Sequence, residues 1–401
     1  MRIAYISADK GVPVFGQKGC SVHVQELIRA LIRQGAEVEL FTCKAGGAPP
    51  EDLKHLPVHL IPFPPAQENQ ALFEHALMQS NGSLQRALHE NGKFDLVYER
   101  YSLWSFAAIT HARAMGIPGI LEVNAPLIEE EATHRNLQNR YAAELVAKKV
   151  FNDADSVFSV SQEVSEYVQS FKQQQNDTNH HIVPNGVNPG LFPKGLKPSS
   201  PAAPGVFTIG FVGSLKPGNG LPVLVEALSL LNVSKNNTRL LIVGDGPQKE
   251  EIEIQLAKCR LSEIARFTGA VSHRDVPGLL ASMDLAVAPY PKLSNFYFSP
   301  LKVYEYMAAG LPVVASDMGQ LRTLIQDGWN GTLCIPGDPN DVAKAIDNLR
   351  YSPELRWFMG KVARKSVLEK HTWNKIARRV ISISQKNFET AGYEERGVCH
   401  A

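Results

Sequence analysis

Residues 296–315 read FYFSPLKVYEYMAAGLPVVA and carry one carboxylate, Glu305, in an otherwise apolar, helix-forming run. A carboxylate accepts two hydrogen bonds side by side, which suits the vicinal hydroxyls of a ribose. The bland alternative is a surface glutamate on an amphipathic helix. Ser299 and Pro300 fit the N-cap and first position of this helix, Gly310 stops it, and Pro312 opens the next strand. The start of the helix, Ser299-Pro300-Leu301-Lys302, presents free amides and a positive dipole end, suited to a diphosphate. Glu305 lies nearly two turns in, too deep for a capping box.

Glycine loops supply a second set of candidates. GQKGCSVHV (16–24) precedes a helix, so the amides near Lys18 and Gly19 could meet an anion or a polar group; a plain turn explains the run equally well. His23 lies near that helix start, where a lone histidine is more often structural. GSLKPGNG (213–220) follows an apolar strand, and its Lys216 could bring charge to a phosphate. The spacing is not that of a P-loop, and no GxGxxG with a following acid supports a nicotinamide dehydrogenase. Gly244-Asp245-Gly246 ends another strand, where a turn or close approach to a ligand is expected.

These loops need a frame. RIAYIS, the glycine loop, SVHVQELIRALIRQG and EVELFT spell strand, loop, helix, strand, with Ser21 as the expected N-cap and Gly35 as the stop. VFTIGFVG, SLKPGNG, LPVLVEALSLL and RLLIVGDG repeat the pattern after residue 205. Strands alternating with helices imply parallel sheets covered on both faces, with ligands at the carboxyl ends of the strands. The expectation is two doubly wound α/β domains facing a central cleft, residues 1–190 and 205–373, joined by a Pro/Ser-rich linker over 191–204.

The chain has 401 residues, 41 Lys+Arg against 40 Asp+Glu, and a net charge of +1. That balance argues against a protein that holds nucleic acid by bulk charge. Five scattered cysteines without a CxxC pair suggest neither zinc nor a disulfide framework, and fit a reducing, cytoplasmic setting. The acidic run 129–131 fits a solvated helix face. Neither a signal peptide nor a membrane-spanning run is expected. Weak peripheral membrane contact is compatible with the sequence, and the oligomeric state is left open.

KGCSVHVQELIRAL, VPNGVN, FVGSLKPGNG, LLIVGDGP, SPLKVYEYMAAGLPVVAS and DGWNGTLCIPGDPNDVAKAI, in this order, resemble retaining GT-B glycosyltransferases of the family 4 type over nearly the whole chain. The resemblance implies two Rossmann-like domains and transfer, with retention, from a nucleoside-diphosphate sugar, UDP-linked by family habit, to a saccharide, lipid-linked or small-molecule acceptor. It implies no metal and no cofactor. It also implies that the last helix, about 374–401, crosses back onto the first domain. By position, Glu305 looks like the family's ribose glutamate, Ser299 to Lys302 like the diphosphate cradle, and Ala270-Val271 like the segment that meets the base. Gly19 and Lys18 match a loop closing over donor and acceptor. Tyr297 stands where the family has a sugar-binding glutamate; Ser214 and Asn219 stand where it has a basic pair, leaving Lys216, with Lys302, to neutralise the diphosphate. Asn124 replaces a frequent histidine, so Glu122 and Asn124 become catalytic candidates. His23, Glu99, Arg100, Tyr101 and Asn124 are the expected acceptor contacts; a strand-end salt bridge is the competing reading of Glu99 to Tyr101. The alternatives are an epimerase of the same fold or a non-catalytic nucleotide-sugar binding protein.

Overall fold

The computed structural model describes residues 1–65, 67–172, 179–234 and 237–397, with side chains to residue 387. The chain divides into two units: Met1–Pro184 with the chain from Trp373 onward, and Asn185–Thr372.

Unit 1 holds a seven-stranded sheet: β1 (Arg2–Ser7), β2 (Glu37–Thr42), β3 (Val58–Leu60), β4 (Leu96–Arg100), β5 (Gly119–Val123), β6 (Ser156–Ser159) and β7 (His180–Ile182). The order is β3-β2-β1-β4-β5-β6-β7, all pairs parallel. Unit 2 holds β8 (Phe207–Val212), β9 (Thr238–Val243), β10 (Ala265–Phe267), β11 (Leu285–Ala288), β12 (Val313–Ser316) and β13 (Thr332–Cys334). Its order is β10-β9-β8-β11-β12-β13, again parallel. Both sheets reverse direction of growth beside their first strand, between β1 and β4 and between β8 and β11. Such a reversal opens a crevice at the carboxyl ends of the strands. The strands β8, β11 and β12 are buried throughout, as expected where helices cover both faces.

Three local expectations shift by a few residues. The division falls at 184/185, ahead of the expected linker, because residues 185–204 are laid onto unit 2. Val187 N donates to His371 O at 3.0 Å, and Ser199 N to Gly278 O at 2.9 Å. The helix Gly19–Arg33 starts ahead of Ser21, whose hydroxyl donates to Pro13 O at 2.6 Å and so anchors the loop instead of capping the helix. The last helix runs Trp373–Gly397 and packs on Gly19–Arg33; the expected extension to residue 401 lies outside the described residues.

Candidate active site

In unit 2 the loops after β8, β9 and β10 are stitched together by their backbones. Gly213 N donates to Val243 O at 2.9 Å, Leu215 N to Asp245 O at 3.0 Å, and Gly244 N to Gly269 O at 3.1 Å. A Cβ on Gly244 would stand 2.1 Å from Gly213 O, and φ there is +139°. The expected result of Gly244→Ala is a loss of roughly 2–4 kcal/mol in urea unfolding, since neither backbone can retreat. The glycine therefore serves loop-on-loop packing. The Asp245 carboxylate turns back to accept from Gly246 N at 2.8 Å. Asn219 Nδ2 donates to Ser214 O at 2.7 Å, which closes their loop, while Ser214 and Lys216 are exposed.

The next strand end, after β11, leads into the helix Leu301–Ala309. Its N-cap is Pro300, not Ser299, and no side chain caps it. The reason is distant: Ser299 Oγ accepts from Asn185 N at 3.0 Å, and its carbonyl from Asn185 Nδ2 at 2.5 Å. Tyr306 ties the helix to β8 by accepting from Val212 N at 2.8 Å. The helix ends at Gly310 in the left-handed conformation, as its sequence predicts.

Lys302 is the cation of this region. Its Nζ is buried and has no hydrogen-bond partner among the described residues. It sits 4.4 Å over the Phe211 ring and 5.2 Å from that of Tyr290. Gly213 packs closely over it: a Cβ there would be 3.1 Å from Nζ, tighter than an ordinary contact. Burial, assisted by the nearby charge of Lys216, pulls the amine down to about 7. A buried ammonium without a counter-ion is a costly arrangement, and an entering anion would relieve it.

Glu305 is 8% exposed, and its Oε1 lies 2.5 Å from His273 Nε2, a partner that the sequence reading missed. His273 follows β10 in the same loop as exposed Ala270 and half-buried Val271. Of the aromatics, Phe296 is core, edge-on to Tyr290 at 4.8 Å; Tyr297 is half-buried with its ring 4.4 Å from Phe298.

Unit 1 carries its own polar cluster. Glu122 is 4% exposed and accepts from four groups: Tyr98 Oη at 2.5 Å, Asn124 Nδ2 at 2.5 Å, His23 Nε2 at 2.9 Å and Arg100 Nη1 at 3.1 Å. Burial raises its pKa, but the His23 and Arg100 charges and the hydrogen bonds prevail and hold it at about 2. The His23 ring meets Trp373 of the last helix edge-on at 4.8 Å. A carboxylate so occupied orients its neighbours; it is not poised as a base or nucleophile.

Strand alternation sorts the remaining candidates. Tyr98 and Arg100 point to the Glu122 side, and Arg100 and Glu122 are register partners in β4 and β5. Glu99 alternates to the other face, and Glu99 and Tyr101 are both buried among other partners. Glu99 is fully buried, accepts from Ser105 Oγ at 2.5 Å, and is pushed up to about 7 by burial. Tyr101 packs on Phe151 at 5.0 Å. Lys18, the N-cap of Gly19–Arg33, and Gly19 are exposed; Asn124 is half-buried.

Two parallel α/β units of this kind define the GT-B class of fold. A sucrose-phosphate synthase from Thermosynechococcus elongatus superposes with a TM-score of 0.76 at 21% identity, covering 97% of this chain and 99% of that one. Anabaena Alr3699/HepE, solved with UDP, gives 0.71 at 19% identity over 98% and 100%. An uncharacterized glycosyltransferase of Methanocaldococcus jannaschii is 24% identical over 98% of this chain and all of its own length. Residues 206–350 match the family described as Glycosyl transferases group 1, and residues 18–186 the Glycosyl transferase 4-like domain. The chain belongs to the group 1 glycosyltransferases, family 4 type.

Proposed function

We propose that this chain moves a sugar from a UDP-sugar to an acceptor hydroxyl with retention of configuration, without a metal. The observation that carries the reading is Lys302: a buried, unpartnered amine at the start of an uncapped helix, beneath Gly213 at the reversal between β8 and β11. The diphosphate lies on that helix start, with Lys302 below it and exposed Lys216 as a second cation. Departure of a nucleoside diphosphate is assisted by fixed positive charge where the negative charge develops. Glu305 accepts from the ribose, and Ala270-Val271 meet the base. Among relatives of this fold, Anabaena Alr3699/HepE was solved with UDP-glucose, which supports a UDP donor.

Glu122 has four donors on it and Glu99 lies beneath Ser105, so neither offers an enzymic nucleophile. This favours front-face displacement, in which the leaving phosphate takes the proton of the acceptor hydroxyl. Arg100, Asn124 and Lys18 are the acceptor candidates. The test is slow donor hydrolysis, with water as acceptor, across a panel of UDP-sugars followed by proton NMR. UDP release with the α-anomer of the sugar appearing first supports the reading; first appearance of the β-anomer rules out retention. Glu305→Ala should raise the Kd for UDP about 10–100-fold, through loss of charge-assisted hydrogen bonds; a Kd unchanged from wild type removes Glu305 from the site.

A further inference from the structure

We infer that His273 is a positioning residue for the donor: it fixes one oxygen of Glu305 so that the other meets the ribose hydroxyls. The inference rests on the donor reading above and extends it to a residue outside the family motifs quoted for this chain.

The geometry is specific. Glu305 lies on Leu301–Ala309, where helix packing fixes its backbone but leaves three side-chain torsions free. An ionised carboxylate only accepts, so His273 Nε2 carries the hydrogen across the 2.5 Å contact to Oε1. Oε2 accepts no hydrogen bond from the described residues. The pair is shielded, with 21% of the His273 and 11% of the Glu305 side chain exposed. One shared bond therefore decides which way the carboxylate faces. It also links a loop and a helix with different tasks, since His273 is three residues from Ala270 in the segment assigned to the base and Glu305 stands on Leu301–Ala309. Base and ribose contacts are thereby held at a fixed mutual distance before the donor arrives.

A positioning role predicts a dependence on the hydroxyls themselves, so the probes are UDP and 2′,3′-dideoxy-UDP, titrated calorimetrically into the full chain. His273→Met keeps the bulk and removes the donor nitrogen. It should raise the Kd for UDP about tenfold, while the Kd for the dideoxy nucleotide stays within about twofold. His273→Gln returns an N–H at the right reach and should recover most of the UDP affinity. In a Glu305→Gln background, His273→Met should add little further loss for UDP, because the oxygen it orients is already altered. Equal weakening of both nucleotides by His273→Met, or none for UDP, overturns the inference and leaves the donor reading intact. If wild type binds neither nucleotide, the donor reading itself fails and this inference fails with it.

Discussion

Lys302→Met should lower kcat/KM for the donor at least about a hundredfold, near 3 kcal/mol, while leaving the fold as stable as wild type or more so. The two effects part because the residue is badly placed for stability and well placed for an anion. Methionine fits between Phe211 and Tyr290 with similar volume and brings no charge to bury. What it cannot do is meet a diphosphate. The pH profile separates this from a packing defect. In the empty protein the amine sits near 7, and a bound diphosphate favours its charged form. UDP affinity should therefore fall as pH rises above 7, approaching tenfold per unit, in wild type but not in Lys302→Met. The empty wild type should also gain stability from pH 7 toward 10.5, where the unfolded lysine still holds its proton. Parallel pH profiles for the two proteins would remove Lys302 from the diphosphate site.

Glu122→Ala should cost unit 1 about 3–5 kcal/mol, because Arg100 and His23 would be left buried opposite nothing. Glu122→Gln isolates the charge. The folded carboxyl is held at about 2 against 4.5 for an unperturbed one. Its contribution, roughly 3 kcal/mol, is complete above pH 4.5 and is lost as the pH falls toward 2. Urea unfolding at pH 7 and pH 3 should show wild type losing more stability on acidification than Glu122→Gln. An identical loss in both would mean that the Glu122 cluster carries no net electrostatic stabilisation.

The parts legible in the sequence are the ones with local causes. Apolar strand runs and glycine loops repeat in both halves and mark both sheets, though the three-residue β3 is too short to announce itself. Gly310 ends its helix for a reason visible within one turn. The rest depends on partners far along the chain. Ser299 is taken from the cap by Asn185, 114 residues earlier. Lys302 is buried by Phe211 of β8 and by Tyr290. Glu122 gathers donors from the first helix and from β4, and Trp373 closes over His23 from the last helix. Period two along β4 did contain a usable signal: it sets Glu99 apart from Arg100.

The central claim is that Lys302 and Glu305 of unit 2 hold a nucleoside diphosphate. Calorimetric titration of UDP into wild type, Lys302→Met and Glu305→Ala at pH 6.5 tests it most directly. The account predicts one saturable site per chain in wild type and at least about tenfold weaker binding in each variant. UDP binding of equal strength in all three proteins, or no UDP binding by wild type, would contradict it.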